Sequence, residues 1–141
     1  MEPIVLKPGE GRTIPSAGGR EPTIKVFGED TGGAFTVLEG FLPPETEGPP
    51  RHLHRSHEES FYVLEGTLCL QLGDEEIEAA PGTYAFVPRG TPHTFRNKSS
   101  QPVRFLGVHS PGVEHMLIAL AQATTPQEIG EISARFDTEL A

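Results

Sequence analysis

The alternation of apolar and polar residues constrains the fold of this chain more than any other feature. From residue 1 to about residue 110, apolar residues recur at every second position in short stretches that turn-forming residues interrupt. Leu68, Leu70 and Leu72 alternate with more polar neighbours, as in a strand with one buried face. Similar stretches occupy residues 34–42, 61–64, 84–87 and 103–109. Short strands with frequent turns are typical of a β-sandwich or β-barrel.

The spacing of apolar residues changes after Ser110 and predicts two short helices. The first helix is predicted from a stripe at i, i+3, i+4, i+7 and i+8, formed by Val113, Met116, Leu117, Leu120 and Ala121. The second begins at Thr125, with Pro126 at its first position and Glu128 three residues after the cap. We expect its buried side to consist of Ile129, Ile132, Phe136 and Leu140, and the tail to pack outside the barrel or on a partner subunit.

The length and composition favour one domain and disfavour several functional classes. The 141 residues fit one hydrophobic core, with a barrel over about 23–110 and a helical tail over 111–141. Cys69 is the only cysteine, so no intrachain disulfide can form. We expect a cytoplasmic protein, because there is neither a signal-peptide pattern nor an apolar run of about 20 residues. The net charge of −9 disfavours binding to nucleic acids or to anionic membranes.

The histidine-rich segment 49–59 is the first part of a candidate metal site. His52 and His54 project from the same side of an extended chain, because successive side chains of a strand alternate between faces. Glu59 follows after a short turn, where a neighbouring strand could return its carboxylate to the same point. His93 is a fourth candidate, distant in sequence but in a strand-like context.

This ligand set narrows the choice of metal without identifying it. Three imidazoles and one carboxylate suit a divalent transition metal ion (Fe, Mn, Co, Ni, Cu or Zn) better than Mg²⁺ or Ca²⁺, which prefer oxygen ligands. Four protein ligands of this kind leave one or two coordination positions for water, dioxygen or substrate. A closed structural zinc site would more often contain cysteine, and Cys69 is far from these residues in sequence.

Two sequence motifs contain these residues. The first reads H-x-H-x4-E-x6-G, from His52 to Gly66, and the second reads G-x5-P-x-G-x2-H-x3-N, from Gly82 to Asn97. Fifteen residues separate Gly66 from Gly82. Together the motifs resemble the two signatures of the cupin superfamily. The first departs only at its leading glycine, where the chain has Thr46 and a glycine two residues later, Gly48.

The resemblance implies an all-β double-stranded β-helix (a jelly-roll barrel) with a metal bound by His52, His54, Glu59 and His93. The motif glycines are expected at turns and Asn97 at a strand end, in structural roles. His57 lies near the same turn as Glu59 and is expected to be exposed or to support the ligands. His109 either lines the barrel mouth or packs in the core. His115 is expected at the surface.

The expected function follows from the site and from a closer resemblance. Segments 32–44, 61–66 and 110–114 resemble small cupins of the quercetin 2,3-dioxygenase-like group, which implies oxidative cleavage of a flavonol-like or other enolic substrate. Phe61, Val63 and Phe95 are expected to point inward with the ligands, and Glu59 to act as the catalytic base on a substrate hydroxyl. Two alternatives remain open: a non-oxidative isomerase or lyase, and a non-enzymatic module that binds a small molecule.

The expected partners are a small-molecule ligand and a second copy of the chain. The resemblance implies a homodimer, and apolar residues predicted on the outer strand faces agree with it. Three such residues are Leu38, Leu64 and Leu106.

Overall fold

The structure is a computed structural model that describes all 141 residues, and it contains two antiparallel β-sheets and two helices. The strands are β1 Arg12–Thr13, β2 Thr23–Val26, β3 Thr36–Leu42, β4 His52–His54, β5 Glu59–Glu65, β6 Leu68–Leu72, β7 Glu75–Ala79, β8 Tyr84–Val87, β9 His93–Arg96, β10 Val103–His109 and β11 Thr138–Leu140. The helices are α1 Val113–Gln122 and α2 Pro126–Arg135. One sheet has the order β1-β2-β3-β10-β5-β8 and the other β11-β4-β9-β6-β7. The predicted jelly roll with two C-terminal helices is confirmed.

The core lies between the inner faces of the two sheets, as the alternation predicted. Leu68 and Leu70 are fully buried, and Leu72 packs against the same cluster. Phe61, Phe95 and Phe105 form a triangle of rings with centroids 5.2 to 5.6 Å apart. Aromatic pairs at such separations stabilise a core beyond the area they bury.

Leu38 corrects one detail of the sequence prediction. We expected its side chain on an outer strand face, but it is 5% exposed and belongs to the hydrophobic core. Its position on β3 decides this. Thr36, Leu38 and Leu42 share the buried face of that strand, so Val37 and Phe41 take the outer face.

The two helices begin as predicted. Thr125 caps α2 by accepting a hydrogen bond from the backbone N–H of Glu128 (3.1 Å). The carboxylate of Glu128 accepts from Thr124 rather than from the cap residue. Val113 and Met116 of α1 and Ile132 of α2 belong to the hydrophobic core. Neither helix has the length and apolar character needed to cross a membrane.

The predicted buried side of α2 is wrong at two residues. Ile129 is 47% exposed, and Leu140 is 79% exposed and lies in β11 instead of the helix. Asp137 has a positive φ of 53°, in the left-handed region that commonly ends helices. The chain then reverses, and β11 pairs antiparallel with β4. Ala121 of α1 is also exposed rather than part of the buried stripe.

Candidate metal centre

Three strands bring the predicted ligands together. β4 carries His52 and His54, β5 begins at Glu59, and β9 begins at His93. β4 pairs with β9 so that His52 lies directly opposite His93. The candidate ligand atoms of these four residues lie within 4.8 Å of one another. His54, Glu59 and His93 are buried and His52 is partly buried, so the group reaches solvent mainly at His52.

Each of the three imidazoles is oriented by a hydrogen bond at Nδ1. His52 Nδ1 lies 2.7 Å from the Pro50 carbonyl, and His93 Nδ1 lies 2.9 Å from the Thr91 carbonyl. A carbonyl oxygen only accepts, so these contacts require a hydrogen on Nδ1 and leave the lone pair of a neutral ring on Nε2. His54 Nδ1 lies 2.8 Å from the Thr138 hydroxyl. Such contacts typically fix the tautomer and orientation of metal-binding histidines.

The carboxylate of Glu59 lies between two of these rings. Its Oε2 is 2.9 Å from His93 Nε2, and its Oε1 is 3.2 Å from His54 Nε2. Burial alone would raise the pKa of Glu59, but the imidazoles of His54 and His93 outweigh burial and hold the pKa well below its ordinary value. Burial likewise lowers the pKa of His93, but the Glu59 carboxylate reverses this effect and raises it.

The donor atoms fit a transition metal ion. His54 Nε2 is buried and makes no hydrogen bond despite its distance of 3.2 Å to Glu59 Oε1. A cation held between this nitrogen and the Glu59 carboxylate would contact both groups. Burial, with further contributions from His93 and His54, lowers the pKa of His52 to about 4, so this ring is neutral near pH 7. Neutral imidazole is the form that binds metals.

His57 and His109 lie beside the group of four ligands but not in it. His57 is 6% exposed and stacks on His54, with ring centroids 3.9 Å apart. The sequence left open an exposed or a supporting position for His57, and the structure places it in the supporting one. His109 is buried at the end of β10 with its ring edge toward Phe61. His57 Nε2 and His109 Nδ1 have no hydrogen-bond partner.

The departure from the first motif has a structural explanation at Gly48. A Cβ on Gly48 would lie 1.7 Å from the Phe95 carbonyl oxygen, so only glycine fits where this loop crosses β9. Thr46, at the position of the missing glycine, forms a backbone bridge with Asn97. The buried Asn97 amide donates to the carbonyls of Pro43 and Gln101, which confirms its structural role.

Thr138 is the residue near the site that the sequence analysis missed. Its hydroxyl contacts His54 from the far end of the chain, because β11 lies beside β4. The only sequence signal for this strand is Asp137, which is more compatible with a helix end than with a helix interior. That signal does not indicate where the following residues pack.

Glu29, Glu114 and His115 form another group of potential ligand atoms. The Glu114 carboxylate is already occupied, since it accepts hydrogen bonds from Gly28 N–H, from the Thr36 hydroxyl and from Gly112 N–H. His115 is exposed, as predicted, and pairs with Glu29. The buried carboxylate therefore anchors the start of α1 to the turn after β2 and to β3.

The match of this chain to a family model assigns it to a protein family. The model of the cupin domain matches residues 34–109, which contain all four candidate ligands. The chain is a cupin. The two sheets and the clustered His and Glu residues are those expected of this family, in which such a cluster is consistent with a metal site.

Three known proteins show the range of activities among relatives of this cupin. It is 33% identical over 116 residues to quercetin 2,3-dioxygenase of Bacillus subtilis, an alignment that covers 79% of this chain and 32% of that enzyme. This cupin thus spans about a third of the length of that relative. A sugar phosphate isomerase of the cupin superfamily from Silicibacter pomeroyi has 30% identity and a TM-score of 0.59, covering 75% of this chain and 68% of the other. The polyketide cyclase RemF from Streptomyces resistomycificus has 31% identity and a TM-score of 0.57, covering 72% and 68%.

Proposed function

We propose that this cupin is a metal-dependent dioxygenase that acts on a flavonol-like or other enolic small molecule. The observation that carries the proposal is the orientation of the four side chains, with the Glu59 carboxylate close to two imidazoles whose outer nitrogens are fixed by the protein. His52, His54, Glu59 and His93 would hold one divalent transition metal ion. That ion would stabilise the anion of an enolic substrate as a Lewis acid and supply redox chemistry toward dioxygen.

Glu59 is proposed as the general base. Its low pKa keeps it ionised near pH 7, and its position at the start of β5 places the carboxylate at the centre of the site. A carboxylate that both ligates a cation and accepts a proton can remove the acidic hydrogen of an enolic hydroxyl. In a dioxygenase both oxygen atoms enter the substrate, so this reaction needs no external reductant.

The surroundings of the site favour an uncharged, aromatic substrate. Phe61, Phe95 and Phe105 pack close to one another inside the barrel. No lysine or arginine is among the buried residues. A phosphorylated substrate would need a cation to compensate its charge, whereas a flavonol-like molecule would not. The identity to quercetin 2,3-dioxygenase supports the same choice.

The non-oxidative alternative rests on His57 and His109. These two buried imidazoles each have an unpaired nitrogen close to the proposed ligands. They could serve a polar substrate in an isomerase or lyase, in line with the activities named for the sugar phosphate isomerase and the polyketide cyclase. A non-enzymatic binding module, the third alternative, would bind metal and a ligand without converting the ligand.

Metal binding is the first step to test. Protein purified after reconstitution with Fe, Mn, Co, Ni, Cu or Zn should contain about one ion per chain by mass spectrometry of the metal. The variant His93→Ala should lose most of that ion because it removes one of four ligands. The matched control His115→Ala changes an exposed histidine outside the group and should retain the ion. Equal metal content in both variants would refute the assigned site.

Oxygen uptake then separates the activities. Each metal-loaded form is incubated with a panel of flavonols and other enediols under a dissolved-oxygen electrode, and products are followed by mass spectrometry. We expect consumption of one dioxygen per substrate, and at least a 100-fold loss in Glu59→Gln, as general-base catalysis typically contributes about 10²–10⁴-fold. Absence of uptake with every metal would refute the dioxygenase. Substrate conversion without oxygen uptake would instead support the isomerase or lyase.

A further inference from the structure

Two buried histidines beside the metal centre, His57 and His109, lack the hydrogen bonds that the rest of the histidines have. Their side chains are almost inaccessible to solvent, with exposed fractions of 6% and 5%. His57 Nε2 and His109 Nδ1 make no hydrogen bond. The other four histidines each contact a polar atom through one ring nitrogen. Buried polar atoms without a partner are rare in native structures because they lose their hydrogen bonds to water, so each requires a physical explanation.

The position of His109 on β10 brings it next to the central carboxylate of the site. β10 and β5 are antiparallel, and the N–H of Ser110 donates to the Glu58 carbonyl (3.1 Å) just beyond the end of β10. The residue before Ser110 and the residue after Glu58 therefore lie opposite each other, and these are His109 and Glu59. His109 belongs to the buried face of β10, so its ring lies inside the barrel.

Gly107 makes room for the ring of His109. A Cβ on Gly107 would lie 2.3 Å from His109 Nε2 and 3.0 Å from the Ser60 carbonyl oxygen. The ring therefore lies back along its own strand, over the residue two positions earlier, and stands edge-on to the ring of Phe61. A side chain at position 107 would exclude this orientation, so the glycine fixes where the nitrogens of His109 lie.

His57 reaches the same region from the loop between β4 and β5. Its ring stacks on that of His54, with centroids 3.9 Å apart. Burial is the main reason for the lowered pKa of His57, and His54 and His109 contribute in the same direction, so His109 lies within electrostatic range of His57. The two rings thus belong to one polar region beside the proposed metal ligands.

The polar side chains next to these two rings are engaged elsewhere. Thr36 lies opposite His109 on β3, and its hydroxyl donates to the Glu114 carboxylate (2.7 Å). The carboxylate of Glu58 accepts from Arg89 (2.7 Å). The protein therefore leaves the hydrogen-bonding capacity of both rings unused, in a region that contains no buried lysine or arginine.

We propose that His57 and His109 form a subsite that binds a second oxygen atom of an enolic substrate, beside the group that the metal holds. A neutral imidazole offers one donor and one acceptor, so the two rings match a hydroxyl or carbonyl oxygen that carries no charge. The subsite selects substrates with two neighbouring oxygen atoms, such as enediols and flavonols, over those with one. Its rings bind the substrate and transfer no proton. The inference rests on the part of the proposed function in which an enolic substrate binds at the metal, and it holds whether or not oxygen is consumed.

Anaerobic binding of catechol and phenol to the zinc-loaded protein tests the subsite without turnover. Catechol has two neighbouring hydroxyl groups and phenol has one, and zinc has no redox chemistry. Calorimetry should show that the wild type binds catechol about 10-fold more tightly than phenol, the usual effect of hydrogen bonds to buried polar groups. His57→Phe and His109→Phe keep an aromatic ring at each position, and each should lower this preference about 3-fold. The double variant should bind both probes equally.

Further variants separate substrate binding from structural effects. Gly107→Ala displaces the His109 ring without replacing it and should lower the preference as His109→Phe does. His109→Asn keeps a polar atom near the position of Nδ1 and should retain part of the preference. The matched control His115→Phe changes an exposed histidine and should leave the preference unchanged. All of these variants should retain about one zinc ion per chain.

Three outcomes would overturn the proposal. These are a wild type that does not bind catechol, a double variant that keeps the wild-type preference, and a double variant that loses its zinc, which would assign the two rings to metal binding. Failure of the proposed dioxygenase gives a different result. In that case no flavonol or enediol supports oxygen uptake, but the preference for catechol still depends on His57 and His109.

Discussion

The Thr138 hydroxyl lies 2.8 Å from Nδ1 of His54 and 3.3 Å from the Phe136 carbonyl. The carbonyl and Met116 Sδ, 3.4 Å away, both accept, so the hydroxyl can donate its hydrogen to either of them while it accepts from His54. In that arrangement His54 Nδ1 donates to the hydroxyl, and its Nε2 is directed toward Glu59. Through this contact the last strand of the chain orients the ring of a proposed metal ligand.

Replacement of Thr138 by valine should weaken metal binding. Thr138→Val keeps the shape of the side chain but removes the acceptor for His54, and the loss of such a supporting contact typically costs about 10- to 100-fold in metal affinity. Competition with a chromophoric chelator would measure the affinity for each metal. Thr138→Ser retains the hydroxyl and should bind within a few-fold of the wild type. Equal affinity of the valine variant and the wild type would show that the contact does not orient the ligand.

The metal-free protein should lose stability when the pH falls from about 6.5 to about 4. Burial, with further contributions from neighbouring histidines, lowers the pKa values of His52 and His57 from 6.5 to about 4 in the folded chain. In this pH window the unfolded chain therefore binds more protons than the folded chain, and acid favours unfolding. Each group contributes at most about 3.5 kcal/mol, since its pKa lies about 2.5 below the ordinary value and one pKa unit corresponds to about 1.4 kcal/mol.

Urea unfolding of chelator-treated protein at a series of pH values would measure this dependence. His57→Gln should make the decline between pH 6.5 and pH 4 shallower, because it removes one of the two rings whose pKa burial lowers. The raised pKa of His93 acts in the opposite sense, because its contribution is lost as the pH rises through its folded value. A free energy of unfolding that does not fall between pH 6.5 and pH 4 would contradict the prediction.

Two glycine-to-alanine substitutions should have opposite effects on stability. Gly48→Ala places a Cβ 1.7 Å from the Phe95 carbonyl oxygen, so the loop before β4 must shift. We expect a loss of about 1–3 kcal/mol, the usual cost of overpacking. Gly130→Ala adds a Cβ in open space on α2 and should stabilise the protein by about 0.5–1 kcal/mol. Thermal unfolding of both variants would check the signs, and a Gly48→Ala protein as stable as the wild type would contradict the steric argument.

Sequence patterns predicted the strands and helices correctly where local features, such as apolar alternation or a helix cap, set their positions. Strand β10 matches its predicted residues 103–109, with Val103, Phe105 and His109 on its buried face. The start of α2 follows from a cap whose partners lie within four residues. The same patterns failed at Leu38 and Leu140. Their burial depends on which strand lies beside them, and the apolar character of a single residue does not specify its neighbours.

By itself, the sequence determined the fold class and the four residues of the candidate site, since strand parity and motif spacing are properties of the chain. The tertiary structure alone decided how those residues are supported. The contact of Thr138 with His54, the stacking of His57 on His54 and the crossing of Gly48 over Phe95 each join segments whose meeting depends on sheet order and loop paths. Such contacts depend on the packing of the whole chain, because no local propensity encodes the position of a distant segment.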